Sequence, residues 1–355
     1  MKIAITSDLH LTTREKHPER FQVLEWILSQ MAKESIQTLI LAGDVFDADT
    51  RNYSEFDSIC QKAKSAGIRF LIIPGNHDPG FKQSSLTSDN VSVFEEPELY
   101  PSDLISMPIL FVPYIRDKNL GDAIADFSKD LSDNKWILIG HGEWTEGLRE
   151  RNPLEPGVYM PLSRADLDRY RPAQVVLGHI HKPLDRDPVW VPGSPCPLDI
   201  NETGRRRFLI LDAEKGAMET RPIQTGPIFF QSDLVVLPVV HETDFIREEI
   251  QSDLKKWSLS SEEMERVRIR VTVKGYSENK KALSDFIKEV FQRFRFYQDE
   301  GPDLDSVSDA EESDRTDIAR RAGLAIEALR FQSRPDDPDE NEILLEALKV
   351  IYESK

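Results

Sequence analysis

The chain has 355 residues, 39% of them apolar and 30% charged, with a net charge of −18. That length predicts two domains with appendages, and no stretch approaches the roughly 18 apolar residues of a membrane span. The acidity is uneven: residues 299–355 carry 17 acidic and 7 basic side chains, the rest of the chain 46 and 38, so bulk charge counts against tight unaided DNA binding but does not exclude a local groove.

MKIAITSDLH enters a strand at once, leaving no room for a secretory leader, and two isolated cysteines, Cys60 and Cys196, make no disulfide framework. Both features point to a cytoplasmic protein. Lys2–Thr6 is a strand ending in Ser7-Asp8-Leu9-His10. Residues Pro18–Lys33 carry Phe21, Leu24, Ile27, Leu28 and Met31 at helical spacing, with Pro18 at the first helical position. Thr38–Ala42 is a short apolar run that ends in Gly43-Asp44, which presents a carboxylate just past a buried strand. A helix near Tyr53–Ala66 and a strand Arg69–Ile73 follow, the latter ending in Pro74-Gly75-Asn76-His77-Asp78.

Between Phe81 and Ser106 only short strands and loops are expected. Ile109–Val112 is a strand, Leu120–Leu131 a helix, and Trp136–Ile139 a strand ending in Gly140-His141-Gly142. After an irregular insertion and a short helix, Arg164–Tyr170, the strand Gln174–Leu177 ends in Gly178-His179-Ile180-His181. Strands near Val189–Val191, Arg207–Leu211 and Met218–Pro222 close a layered α/β domain at about residue 225, with the later strands expected to form a second sheet on the first.

Residues 226–298 read as a small α+β domain. A strand at Leu234–Val240 and a helix at Asp244–Trp257 precede Arg266–Val273, which alternates Val267, Ile269, Val271 and Val273 with Arg266, Arg268, Arg270 and Thr272. Its arginine face is read as solvated. Asn279–Phe296 is an amphipathic helix. Residues 299–314, acidic and poor in apolar side chains, read as a flexible linker. Two short helices complete the tail at 315–355. Ile318, Ala322, Ile326 and Leu329 mark one stripe, Leu344, Ala347, Leu348 and Ile351 the other, and Asp337-Pro338 is expected to cap the second.

Five of the seven histidines sit at strand ends: His10, His77, His141, His179 and His181, together with Asp8, Asp44 and Asn76. Parallel-type strands ending together would gather these groups at one sheet edge. Imidazole, carboxylate and amide oxygen without thiolate suit Mn²⁺, Fe²⁺ or Zn²⁺. There are too many ligands for one ion, whereas two ions about 3.5–4 Å apart can share a carboxylate. A neutral Asn76, where a third aspartate would cancel charge, leaves such a site attractive to a phosphodiester.

The series Asp8-x-His10, Gly43-Asp44-x-x-Asp47, Gly75-Asn76-His77-Asp78, Gly140-His141 and Gly178-His179-x-His181 resembles the calcineurin-like metallophosphoesterases, in that family's order. The resemblance implies a four-layer α/β/β/α fold. It implies one ion held by Asp8, His10 and His181 and another by Asn76, His141 and His179, with Asp44 bridging. His77 would act on the phosphate or the leaving oxygen, oriented by Asp78. Some nucleases of the family carry a histidine where this chain has Asp47. Pro192-Gly193-Ser194-Pro195-Cys196-Pro197-Leu198, then Glu202-Thr203-Gly204, is similar to the closing segment of the SbcD nucleases, bacterial counterparts of the nuclease subunit of the MRN repair complex.

That narrower resemblance implies a capping domain, a helical tail binding an SMC-like coiled-coil ATPase of the SbcC type, and a homodimer built through helices of the nuclease domain; the apolar faces near Phe21–Met31 and Leu120–Leu131 are candidates for it, and core packing explains both equally well. It implies a two-metal DNA phosphodiesterase, manganese being the favoured metal. Its actions would be 3′-to-5′ exonuclease and single-strand endonuclease cleavage in double-strand-break repair. A phosphoesterase acting on a small phosphodiester, nucleotide or phosphoprotein is the first alternative, and a non-catalytic scaffold subunit the second. Arg205-Arg206-Arg207 is either a phosphate contact or a charged turn, Trp144 packs the insertion, and His17 and His241 are surface residues.

Overall fold

The computed structural model divides into two compact units, Met1–Leu198 with Arg205–Pro227, and Asp199–Gly204 with Ile228–Lys355. It describes every residue except 51, 101–106, 146–158, 237–241, 278, 310–314, 331–336 and 354–355. Part of the insertion after Gly142, the end of the strand expected at Leu234–Val240, and His241 therefore lie outside the described residues.

In the first unit the elements run β1 (Lys2–Thr6), α1 (Pro18–Lys33), β2 (Thr38–Ala42), α2 (Ser54–Lys64), β3 (Arg69–Ile73), β4 (Val91–Val93), β5 (Glu98–Tyr100), β6 (Ile109–Val112), α3 (Leu120–Ala125) and β7 (Ile137–His141). Then come α4 (Arg164–Tyr170), β8 (Gln174–Gly178), β9 (Leu184–Arg186), β10 (Val189–Val191), β11 (Arg207–Asp212) and β12 (Ala217–Pro222). One six-stranded sheet has the order β12-β11-β1-β2-β3-β4 and the other β5-β6-β7-β8-β10-β9.

The two-residue period of each buried strand sorts its side chains into layers. Leu39 and Leu41 of β2 join Phe70, Ile72 and the α1 stripe in one core, whereas Ile40 and Ala42 join Ile3, Ile5, Ile109, Phe111, Ile137 and Ile139 between the sheets. Leu110, Leu138, Val175 and Leu177 face outward again, against Leu120 and Ile124 of α3 and Tyr170 of α4. The result is four layers, α/β/β/α. The apolar stripes of α1 and α3, considered above as dimer surfaces, are consumed by these cores.

Two expectations are corrected here. The late strands β11 and β12 do not extend the second sheet. They return to the first, β11 lying antiparallel to β1 with Ile3 opposite Leu211 and Ile5 opposite Leu209, because their alternate residues complete the layer between the sheets. The helix from Leu120 ends at Ala125, short of Leu131.

The second unit contains β13 (Ile228–Val236), α5 (Glu242–Trp257), α6 (Ser261–Met264), β14 (Val267–Ser277), α7 (Lys280–Val290), β15 (Arg295–Phe296), β16 (Asp303–Asp309), α8 (Arg315–Ala328) and α9 (Glu340–Glu353). Val267, Ile269, Val271 and Val273 pack on Ile246, Ile250, Leu283 and Ile287, and the opposite face of β14 carries Arg270 in an ion pair with Glu300 at 2.8 Å. The helix expected to reach Phe296 stops at Val290, since Phe291 turns into the core and Arg295 and Phe296 pair with β14.

The expected flexible linker holds a strand. β16 runs parallel to β14, from Thr272 opposite Asp303 to Ser277 opposite Asp309, so the open edge of β14 supplies backbone bonds that an apolar count does not anticipate. The second tail helix is capped by Asp339 rather than Asp337. Its carboxylate accepts from the Glu342 N–H at 2.8 Å, and Glu342 accepts from the Asp339 N–H in return. Ala319, Leu344 and Leu348 pack on Val235 and Tyr276, while Ile318, Leu324, Leu329 and Val350 are exposed.

Candidate metal centre

The carboxyl ends of β1, β2, β3, β7 and β8 meet at one edge of the first unit, where each parallel strand runs straight into its chemistry-bearing turn. Past β1 and β2 the chain stays zipped: the N–H groups of Asp8 and His10 donate to the carbonyls of Gly43 and Asp44, each at 3.0 Å. These bonds hold Asp8, His10 and Asp44 at φ of 55°, 44° and 49°, and His179 sits at 96°. Each such backbone costs on the order of 1–3 kcal/mol and persists only where its surroundings over-determine it. Gly178 has no such latitude to lose: a Cβ there would overlap the Ala42 carbonyl and crowd Ser7.

Asp8, His10 and His181 present ligand atoms within 4.8 Å of one another, as do Asp44, His141 and His179, and His10, Asp44 and His77 form a third group that overlaps both. Asp8 is fully buried; it accepts from the Ser7 hydroxyl at 2.5 Å and from the His179 N–H at 2.9 Å. Asp44 accepts the His77 N–H on Oδ1 at 2.8 Å, while Oδ2 is buried with no hydrogen-bond partner. Asn76 Oδ1 lies 2.8 Å from His141 Nε2 and 2.9 Å from His179 Nδ1, and His10 Nε2 lies 3.1 Å from His181 Nε2.

These contacts test whether cations fit. The His141 Nδ1–H donates to the Ala42 carbonyl at 2.9 Å, which in the neutral ring leaves Nε2 as the lone-pair nitrogen. That lone pair faces two further acceptors, Asn76 Oδ1 and, at 3.4 Å, Asp44 Oδ2. Acceptors aimed at one another in a dry site are unfavourable without a cation between them, so the donor set fits hard or borderline divalent ions. Burial pushes His10 down to about 3, outweighing the pull of Asp44, so its ring is a neutral ligand at pH 7. Burial would lower His141 too, but the Asp44 carboxylate raises it to about 9, and Asp44 is in turn held well below the usual carboxylate range. Proton and metal therefore compete for the same pocket.

The carboxylate beside His77 is not the expected one. Asp78 is buried, and its oxygens accept the Gly75 N–H at 2.6 Å and the Phe46 N–H at 3.0 Å, tying the loop after β3 to the loop after β2. Burial lifts it to about 7. Asp47 Oδ1 instead stands 3.8 Å from His77 Nδ1, and Asp47 Oδ2 stands 3.6 Å from Arg20.

Two site residues, Glu143 and Arg20, escaped the sequence reading, and a third, Arg206, takes a role other than the phosphate contact or charged turn expected of it. Buried Glu143 places Oε1 3.5 Å from His179 Nε2, on the ring edge opposite Asn76. Arg20 donates to the His10 carbonyl, and Arg206 donates to the His181 carbonyl at 2.8 Å. Arg20 left a signal, a cation on the otherwise apolar face of α1; Glu143 left none beyond proximity to a motif. Arg207 is engaged structurally, with Asp185 at 2.5 Å.

This fold and this edge define a metallophosphoesterase. The calcineurin-like phosphoesterase family matches residues 1–183, more than half of the chain, and the protein belongs to that family; it is a metal-dependent phosphoester hydrolase. Over 257 residues the chain is 23% identical to the SbcD component of the SbcCD nuclease of Escherichia coli K12, and equally to that of Escherichia coli O157:H7. The match takes in 59% of this chain and 64% of those proteins, so it spans less than two thirds of their length. Among solved structures, a purple acid phosphatase from yellow lupin seeds has a TM-score of 0.39 at 12% identity, covering 64% of this chain and 52% of its own. A dimetal phosphatase from Danio rerio has a TM-score of 0.40 at 11% identity, covering 62% and 95%. Among the described residues no helix is long and apolar enough to cross a membrane.

Proposed function

We propose that the protein is a two-metal DNA phosphodiesterase, an exonuclease and single-strand endonuclease of break repair that works with a coiled-coil ATPase. The observation that carries the reading is a pair of ligand trios, Asp8/His10/His181 and Asp44/His141/His179, linked where Asp44 Oδ2, buried without a hydrogen-bond partner, stands 3.7 Å from His10 Nε2. In this reading Asp8, His10 and His181 hold one ion, Asn76, His141 and His179 the other, and Asp44 bridges them. Bound divalent ions, Mn²⁺ foremost with Fe²⁺ or Zn²⁺ as alternatives, supply an activated water and neutralise charge on the phosphate. His77, half-buried at the mouth, turns Nδ1 toward Asp47 at 3.8 Å; as an imidazolium paired with that carboxylate it would carry a second proton, on Nε2, to give to the departing oxygen. Arg20 and Arg206 fix His10 and His181 through their carbonyls. The likeness to a nuclease component supports DNA as the substrate over a small phosphodiester.

The partner reading rests on the tail, where Ile318, Leu324, Leu329 and Val350 are 48–66% exposed on α8 and α9 while other residues of the same helices pack inward. Such stripes suit a groove on a partner helix.

The test is Mn²⁺-loaded protein on end-labelled duplex and single-stranded DNA, with Asp44→Ala and His77→Ala beside the wild type. Asp44→Ala should reduce cleavage to background; undiminished cleavage refutes the two-metal reading. Turnover of a chromogenic phosphodiester but not of DNA moves the substrate to a small ester. Leu324→Glu with Leu329→Glu should abolish co-purification of a coiled-coil ATPase, and retained association refutes that role for the tail.

A further inference from the structure

A cavity of about 420 Å³ opens over Asn76 and His77, and its far wall is Tyr114, Arg116 and Tyr159. The same three residues wall a second hollow of about 640 Å³, which runs on past Asp117, Lys118, Asn119 and Met160, so that one carboxylate stands between the two cations. The reacting phosphate has room in the first hollow, and whatever the phosphate is attached to has room in the second. What divides the two is aromatic and cationic.

Both tyrosines are half-exposed, and both are anchored to ligand-bearing backbone. The Tyr114 N–H donates to the Pro74 carbonyl at 3.0 Å, just before Asn76. The Tyr159 backbone is bonded twice to Glu143, which lies two residues past His141: the Glu143 N–H donates to the Tyr159 carbonyl at 3.0 Å, and the Tyr159 N–H donates to the Glu143 side chain at Oε1, 3.2 Å. The Tyr159 ring lies 4.8 Å from the His179 ring and 6.1 Å from the Tyr114 ring, tilted 47° to each. Beside them Arg116 and Lys118 are exposed, on either side of Asp117.

Neither feature serves the metal ions. A catalytic rim needs no aromatic pair, and a core does not leave two tyrosine faces open to a cavity. Flat π-faces beside a phosphate site, followed by two cations, match a ligand made of alternating planar rings and phosphates.

We propose that Tyr114 and Tyr159 form a stacking subsite for the nucleobase adjoining the scissile phosphate, and that Arg116 and Lys118 receive the next phosphate along the strand. This deepens, and rests on, the reading of the protein as a DNA phosphodiesterase. Stacking on a side chain requires an unpaired base, so the subsite takes single-stranded or frayed ends. Because every base has a π-face, it is indifferent to sequence.

The experiment compares, with Mn²⁺, a single-stranded oligonucleotide and a strand of the same length and charge whose nucleotides are abasic. Wild-type protein should show a KM about tenfold lower for the base-bearing strand. Tyr159→Ala and Tyr114→Ala should collapse that ratio toward one, while Tyr159→Phe, which keeps the π-face, should restore it. Equal KM values for both strands with wild-type protein overturn the subsite and leave the DNA reading standing; this arm needs no variant to fold. A ratio unchanged in both alanine variants also overturns it. Cleavage of neither strand, with turnover of a chromogenic phosphodiester intact, overturns the DNA reading and the subsite with it.

Discussion

Asp47 and Asp78 divide between them the roles that adjacency in sequence assigns to one. Replacing Asp47 by Asn removes the charge 3.8 Å from His77 Nδ1 and leaves the shape of the side chain. Two unit charges at that distance interact by about 4 kcal/mol at an effective dielectric near 20. Asp47 is 38% exposed and shares its charge with Arg20, so screening reduces the useful part to about 1 kcal/mol. The expected result is a five- to tenfold fall in kcat on bis(p-nitrophenyl) phosphate, with KM and the affinity for Mn²⁺ by calorimetry unchanged. Asp78→Ala behaves differently. It strands two buried N–H groups, at Gly75 and Phe46, at about 1–3 kcal/mol each. That should lower the melting temperature by roughly 5–15 °C in a unit of this size. If Asp47→Asn keeps full kcat while Asp78→Ala loses it at an unchanged melting temperature, the assignment is wrong and Asp78 is the residue that orients His77.

Three other outcomes are expected. Gly178→Ala forces a methyl group into the Ala42 carbonyl, and should yield protein that binds Mn²⁺ at least tenfold more weakly or melts several degrees lower; wild-type behaviour in both would contradict the close approach of the two sheets. Glu143→Gln removes the carboxylate from the far nitrogen of His179, and calorimetry should show one Mn²⁺ site weakened by about tenfold with the other unaffected. In the second unit, burial lifts Glu249 to about 7 from 4.5. The native state then binds a proton that the unfolded chain releases, so this group's contribution is full below about pH 4.5 and is lost as pH rises through 7, a few kcal/mol in all. Glu249→Gln should therefore flatten the fall in melting temperature between pH 5 and pH 8, and identical slopes for variant and wild type would exclude Glu249 as its source.

What could be read from the sequence was local. β1, β2, β3, β7 and β8 announce themselves because an apolar run and a ligand lie in contiguous residues, and a buried strand needs nothing else to be recognised. β16 could not be seen, since seven residues with one buried side chain, Val307, gain their order from the edge of β14 rather than from themselves. Asp78 was misassigned for a related reason. In the bend after β3, His77 lies half-buried at the mouth while Asp78 is buried on the Gly75 and Phe46 N–H groups, and the carboxylate 3.8 Å from His77 Nδ1 comes from a loop thirty positions earlier. Glu143, Arg20 and Arg206 act through contacts made between elements, and the chain records such contacts only in three dimensions.

Two of the three trios of ligands draw on both sheets. Asp8 and His10 follow a strand of the first sheet and His181 a strand of the second; Asp44 lies on the first, His141 and His179 on the second. Ions seated there would join the two halves of the sandwich as rivets join plates. Apart from Arg207, which reaches Asp185 and the Val191 carbonyl of the second sheet, the layer between the sheets is largely apolar contact, which has no direction and tolerates sliding. At this edge a shift of one sheet against the other would have to break coordination. Emptying the site should therefore loosen the whole four-layer stack, and the metal titration that restores activity should raise the melting temperature of the unit along the same curve.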